Sequence, residues 1–164
     1  MKVIAFTKVK LPYGWLSNMA PFPITYNNLV WRTSEALFQA SRFAFTFANL
    51  DIIEKIRLEP SPMAAKMIAK KHADQMVVEQ LSQLDVDNMR SILKLKLEQH
   101  PDLWKELLST KGSEIIEDCT KRQHGSGLFW GAALQDLGQF AGGDQWIGEN
   151  KLGKLWMEIR DENF

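Results

Sequence analysis

The sequence holds a single cysteine, Cys119, so it cannot close a disulfide within the chain, and a reduced, intracellular setting is expected. It also lacks a surplus of either charge: 20 Lys and Arg stand against 20 Asp and Glu, for a formal net charge of zero. Binding driven by bulk attraction to nucleic-acid phosphates needs a basic excess or a segregated patch, which this balance disfavours. A small anion-binding pocket stays open. No apolar run reaches the roughly 20 residues of a membrane helix. Residues 1–10 have neither the apolar core nor the small-residue cleavage site of a signal peptide. A cytoplasmic protein without membrane contact is expected. His72, His100 and His124 are scattered, with no pair at ligand spacing, which argues against a metal site. A Gly-x-x-x-x-Gly-Lys-Ser/Thr phosphate loop is absent, and Gly125-Ser126-Gly127 lacks the strand-turn-helix pattern of a nucleophile elbow.

What is present is ordinary globular material of one-domain size: 164 residues, 45% hydrophobic and 24% charged. No repeat, low-complexity tract or linker divides it, so residues 1–164 read as a single domain. The aromatic content is skewed, with six Trp and nine Phe against two Tyr.

The pattern predicts a helix-rich α+β fold, several α-helices around a few short β-strands. Val3-Ile4-Ala5-Phe6 suits a strand; Ile24-Thr25-Tyr26 and Leu29-Val30-Trp31 suit a hairpin turned by Asn27-Asn28, since Asn tolerates positive φ. Helices are expected from a Thr33 or Ser34 cap to about Thr46, over 49–57, from Ser61-Pro62 to about His72, from Asp85 or Asp87 to Gln99, and from Pro101 to Gly112. Residues 113–119 read as a strand, 121–127 as a loop, and a Gly-rich connection leads to a helix from Lys151 to Arg160. Cys119, at the end of an apolar strand, reads as an inert core thiol. Lys66, Lys70 and Lys71 read first as a solvated helix face.

The helix from Thr33 is the most informative segment. At about 100° per residue, Ala36, Leu37, Phe38, Ala40, Phe43, Ala44 and Phe45 cover nearly its whole circumference. Glu35, Gln39 and Arg42 share one narrow polar stripe, at spacings of four and three. A helix apolar nearly all round is buried, and its polar stripe must face a partner or a cleft. The stripe reads either as a structural Glu35–Arg42 contact through Gln39 or as part of a site. Trp104 and Trp156 fit core positions, whereas Trp15, Trp31, Trp130 and Trp146 sit in loops or at strand ends, where four aromatics together favour a flat ligand.

Six motifs in order complete the picture: Gly14-Trp15-Leu16-Ser17-Asn18, Trp31-x-x-x-Glu35-x-x-Phe38-Gln39-Ala40, Pro62-Met63-x-Ala65-Lys66, Leu107-Leu108-x-Thr110, Trp130-Gly131, and Gly148-x-Asn150-x-Leu152-Gly153-Lys154-x-x-Met157-x-x-Arg160. From about Phe6 to Arg160 the chain resembles the NADAR (YbiA-like) family. The resemblance implies a hydrolase cleaving an N-glycosidic bond between a ribose phosphate or ADP-ribose and a base or base-like amine. Early riboflavin-pathway intermediates and ADP-ribosylated guanine are the substrates it suggests. The family's helix-borne glutamate falls on Glu35, the implied catalytic carboxylate. Two positions depart from the family pattern: Arg42 stands where many members carry Lys, and Gly127-Leu128-Phe129 precede Trp130 where many carry an Asp.

On that reading a carboxylate steadies the oxocarbenium-like ribose. Arg42, Lys66 and Asn150 would meet phosphates. Trp130, Trp31 and Asn18 would meet the base, with Gln39 and Gly131 completing the substrate-binding set. No metal and no cofactor are expected. The partner is a small nucleotide or ADP-ribose-type molecule, free or as a modified guanine in nucleic acid. The rival readings are a non-catalytic nucleotide sensor using the same pocket, and a partner-binding domain that would leave the Glu35 stripe without a purpose.

Overall fold

The structure is a computed structural model that describes residues 1–45 and 47–162. Its elements in chain order are β1 (Val3–Phe6), β2 (Ile24–Tyr26), β3 (Leu29–Trp31), α1 (Ser34–Ser41), α2 (Leu50–Leu58), α3 (Pro62–Lys71), α4 (Gln83–Gln99), α5 (Pro101–Ser109), β4 (Glu114–Glu117), α6 (Gly127–Trp130), β5 (Ala133–Asp136), β6 (Asp144–Ile147) and α7 (Lys151–Asp161). This is the helix-rich α+β fold that the sequence predicts. Residues 18–104 form one compact unit, and residues 1–17 with those from 105 onward form a second; the boundary falls within α5. Among the described residues no helix is long and apolar enough to cross a membrane.

The unit of residues 18–104 is built around α1. Thr33 caps it, its hydroxyl accepting from the Ala36 N–H at 3.1 Å. Every residue of α1 is buried, because α2, α3, α4 and β3 all pack against it. The β2–β3 hairpin turns as expected, with Asn27 and Asn28 at φ 50° and 62°. Helix α1 ends at Ser41, short of the expected end; Thr46 itself lies outside the described residues. The reason is the backbone beyond it. The Arg42 carbonyl accepts from the Val77 and Val78 N–H groups, and Ala44 and Phe45 turn left-handed at φ 52° and 51°. Helix α3 opens as expected, with the Ser61 hydroxyl accepting from Ala64 N–H and Pro62 in the first position. Helix α4 starts at Gln83 rather than at Asp85 or Asp87, because Ser82 provides its cap and accepts from Asp85 N–H at 3.3 Å.

In the other unit β1 pairs in parallel with β4, Val3 opposite Glu114 through Phe6 opposite Glu117, and α7 packs on β4. Close approach explains Gly153, where a Cβ would lie 2.2 Å from the Ile115 carbonyl oxygen. Arg160 of α7, buried, donates through Nη1 to the Thr110 and Ser113 carbonyls at 2.9 and 2.8 Å, which fixes the turn before β4. The strand expected over 113–119 narrows to Glu114–Glu117; beyond it Asp118 makes an isolated bridge to Ala132. Residues 128–130 are helical within α6, and the expected Gly-rich connection holds the antiparallel hairpin β5–β6. Cys119 is buried, and burial, aided by the Glu117 and Asp118 carboxylates, pushes its thiol pKa up, as suits a core thiol.

Lys96 of α4 is the exception to apolar packing. It is 0% exposed, its Nζ 5.4 Å from the centre of the Phe22 ring, and burial lowers its pKa from 10.5 to about 7. Between those values the unfolded chain holds a proton that the folded chain has released, so folding stability rises with pH across that window and is lowest below it. Replacing Lys96 by Met is expected to flatten the rise in stability between pH 7 and 10, read as the urea midpoint across that range. A variant that keeps the slope contradicts this account.

Candidate functional site

The three residues of the polar stripe are joined by hydrogen bonds. Gln39 Nε2 donates to Glu35 Oε1 at 2.8 Å, and Arg42 Nη1 donates to Gln39 Oε1 at 3.3 Å. Glu35 is 7% exposed, and its other oxygen, Oε2, accepts no hydrogen bond from the described residues. Nor does any described cation lie within ion-pair distance of it. Glu35 is thus held in place through one oxygen, and the other is left without a hydrogen-bond partner among the described residues.

Arg42 sits just past the last turn of α1, 5% exposed, and its charge is spent elsewhere. Nε donates to Asp85 Oδ1 at 3.0 Å and Nη2 to Asp85 Oδ2 at 2.9 Å, a bidentate pair with Asp85 fully enclosed. Asp85 Oδ2 also accepts from Leu81 N–H at 2.9 Å, and the first turn of α4 favours its negative charge. The guanidinium lies 4.7 Å from the centre of the Phe38 ring, and Nη1 also reaches Gln80 Oε1 at 3.4 Å. Removing one partner of such a pair leaves a buried lone charge and costs on the order of 3–5 kcal/mol. In the sequence Asp85 stands only as a candidate helix start. Its signal was the Ser82-x-x-Asp85 capping pattern; the link to Arg42, 43 residues away, had none.

Asn18, Trp31 and Lys66 belong to the same unit. The Asn18 carbonyl accepts from Glu35 N–H at 3.0 Å, and its side-chain oxygen accepts from the Ser34 hydroxyl at 2.9 Å, so Asn18 fixes the first turn of α1. Trp31, 1% exposed, packs edge-on against Phe45 with ring centres 6.0 Å apart. Its ring faces are therefore enclosed, but its indole N–H, buried, has no hydrogen-bond partner among the described residues. Such a donor is rare in a folded protein and is normally completed by water or a ligand oxygen. Lys66 is half-buried on α3, the helix packed against α1, and takes part in no ion pair among the described residues.

The remaining expected site residues lie in the unit that contains α6 and α7. Trp130 is largely buried at the end of α6 and meets Phe129 edge-on, ring centres 5.0 Å apart. Gly131 follows, where a Cβ would lie 2.5 Å from the Glu117 carbonyl oxygen, and its own carbonyl accepts from Asn150 N–H at 3.0 Å. Asn150 precedes α7 in a left-handed conformation. Its side chain is committed to β4, accepting from Glu117 N–H at 3.0 Å and donating to the Ile115 carbonyl at 2.9 Å.

A cleft of about 90 Å³ opens in the unit of residues 18–104, lined by Tyr26, Leu37, Ser41, Asn88, Ser91 and Leu95 among others. Leu37 and Ser41 sit about 200° and 240° around α1 from Glu35, so this cleft lies on the face away from the polar stripe. Among the described residues no three His, Cys, Asp or Glu side chains gather as metal ligands would.

Comparison with known proteins agrees with the ordered motifs. The NADAR domain model matches residues 5–162. The chain is 30% identical over 166 residues to the N-glycosidase YbiA of Escherichia coli, covering 98% of this chain and 88% of that protein. It is 28% identical to an N-glycosidase of Nostoc punctiforme, over 97% of this chain and 91% of that one. It is also 30% identical to a quarter (25%) of the chloroplastic riboflavin biosynthesis protein PYRR of Zea mays. The NMR structure of the E. coli protein YbiA superposes with a TM-score of 0.74, covering 99% of this chain and 84% of that chain. With the match running through both compact units, the chain belongs to the NADAR domain family.

Proposed function

We propose that the chain is an enzyme of the class its relatives name, an N-glycosidase, in which Glu35 is the catalytic carboxylate. The observation that carries this reading is the state of Glu35: a nearly buried carboxylate, one oxygen held by Gln39, the other without a partner, and no described cation beside it. Such a group stabilises positive charge that develops at the ribose anomeric carbon as the bond to nitrogen stretches. The electron pair of the C1′–N bond leaves with the nitrogen, water adds to C1′, and Glu35 Oε2 takes the proton that water gives up; that proton then passes to the departed nitrogen, which returns Glu35 to its carboxylate form. A free base or amine and a ribose with a C1′ hydroxyl are the products.

Binding is assigned by chemistry. Within the unit of residues 18–104, Lys66 supplies a cation for phosphate and Trp31 its unfilled N–H; within the other unit, Trp130 offers an aromatic surface beside the tightly packed Gly131. Asn18, Gln39, Arg42 and Asn150 act through the frame: each spends its polar atoms on neighbouring groups and holds α1 or α7 in place. We take residues 1–164 to work as a single domain in the cytoplasm. The substrate is a small N-glycoside of ribose phosphate or ADP-ribose, early riboflavin-pathway intermediates and ADP-ribosylated guanine, free or in nucleic acid, being the forms to test. This reading assigns every step to a side chain or to water and calls for no metal or cofactor.

Incubation with ADP-ribosylated guanosine and with the riboflavin intermediates, followed by mass separation, is expected to yield a free base or amine and a ribose-containing product from at least one. Binding without any product favours a sensor instead. Glu35→Gln retains an acceptor for Gln39 Nε2 while removing the charge. It is expected to spare the melting temperature and lower turnover about a hundredfold or more, roughly 3 kcal/mol of transition-state stabilisation. A destabilised but fully active Glu35→Gln protein removes Glu35 from the catalytic role. Exhaustive chelation is expected to leave turnover intact; loss on chelation with recovery on adding a divalent ion overturns the metal-free assignment.

A further inference from the structure

We propose that Asp85 is a positioning residue for Glu35, acting through Arg42 and Gln39 to fix which carboxylate oxygen meets the substrate. This rests on the reading of Glu35 as the catalytic carboxylate and says how its geometry is held. The argument is one of hydrogen-bond polarity. A carboxylate only accepts and a guanidinium only donates, while an amide has one group of each kind. With Glu35 Oε1 on one side and Arg42 Nη1 on the other, Gln39 has a single orientation that satisfies both, NH₂ towards Glu35 and carbonyl towards Arg42.

Take the guanidinium away and Gln39 keeps only one of its two anchors. Its amide oxygen is then buried without a donor, and its terminal torsion is broad, so the amide can swing to satisfy that oxygen elsewhere. The link to Oε1 then loosens. Arg42 is itself a long side chain with many rotamers, and Asp85 selects one: the bidentate contact at 3.0 and 2.9 Å fixes the plane of the guanidinium as well as its position. Asp85 is fixed in turn by Leu81 N–H on Oδ2 and by the Ser82 cap on its own N–H. The chain of contacts therefore runs from the first turn of α4 to one oxygen of Glu35. It leaves Oε2 as the oxygen for water and the anomeric centre.

The obvious single variant, Asp85→Asn, strands the Arg42 charge and threatens folding. Arg42→Met combined with Asp85→Leu removes both charges at once, a change that buried ion pairs commonly survive. In the full chain, this double variant is expected to melt near the unaltered protein and to show a mobile Gln39 side-chain amide by ¹⁵N relaxation. It should lower kcat at least about tenfold with KM within about threefold, since a misplaced reacting group costs rate rather than binding. Gln39→Met breaks the relay at its centre without touching the ion pair. It should give the same loss of kcat, and adding the double variant to it should cost nothing further.

A Gln39 amide that stays ordered in the double variant overturns the proposal whatever the activity. So does a mobile amide with unchanged kcat. Should the double variant fail to fold, full kcat in Gln39→Met overturns the proposal and loss of kcat with a normal melting temperature supports it. The substrate for these assays is the N-glycoside that the unaltered protein hydrolyses in the product assay above. Full activity of Glu35→Gln measured alongside overturns the reading of Glu35 itself. An inactive Glu35→Gln beside a fully active double variant overturns only the relay.

Discussion

An ion pair shut away from water joins the end of α1 to the start of α4. Arg42 binds the chain over residues 77–85 twice, through its carbonyl to Val77 and Val78 and through its guanidinium to Gln80 and Asp85. Desolvating two charges is expensive, and their attraction repays it only with good geometry and with the remaining donors satisfied. Here the geometry is a parallel fork, the Phe38 ring lies against the guanidinium, and two glutamine oxygens take Nη1. Apolar residues of the same bulk could fill that space. What they could not do is set the register between α1 and α4, because apolar contact has no direction.

That direction is what the stripe on α1 uses. A helix buried on every side normally carries no ionisable group, and α1 carries Glu35 in its first turn, where the N–H groups of the helix favour a negative charge. The hydrogen bonds along the stripe pass from a charge that is neutralised, at Asp85, to one that is not, at Glu35. A structural ion-pair network would be expected to end in compensation. This one ends in a carboxylate oxygen with no described partner, the condition a group needs if it is to act on something that binds.

Much of the fold was legible because its punctuation is chemical. Asn27-Asn28 announced a hairpin and Ser61-Pro62 a helix start, and both lie where the residues put them. The end of α1 was not legible, since nothing local to Ala44 or Phe45 predicts left-handed backbone; those angles follow from contacts to a segment more than thirty residues on. The β5–β6 hairpin hid for a different reason: its strands bury little, with Leu134 and Ile147 exposed, so no alternation of apolar and polar residues marked them. At the candidate site, periodicity alone aligned Glu35, Gln39 and Arg42. Asp85 could not be found that way, because pairing between distant helices leaves no period in either. Trp31 was legible as an aromatic at a strand end, but only the structure encloses its faces and leaves its N–H unfilled.

The parallel pairing of β1 with β4 bears on how the chain is made. Residues 3–6 find their partners only at 114–117, and a parallel pair cannot be closed by a tight turn. The closure spans the whole of residues 18–104, a separation that raises contact order and the entropy of the closing loop. During synthesis the helices around α1 can therefore assemble first, while the apolar strand that emerged before them waits with its hydrogen-bonding edge unfilled. For that interval residues 3–6 stay open to mispairing.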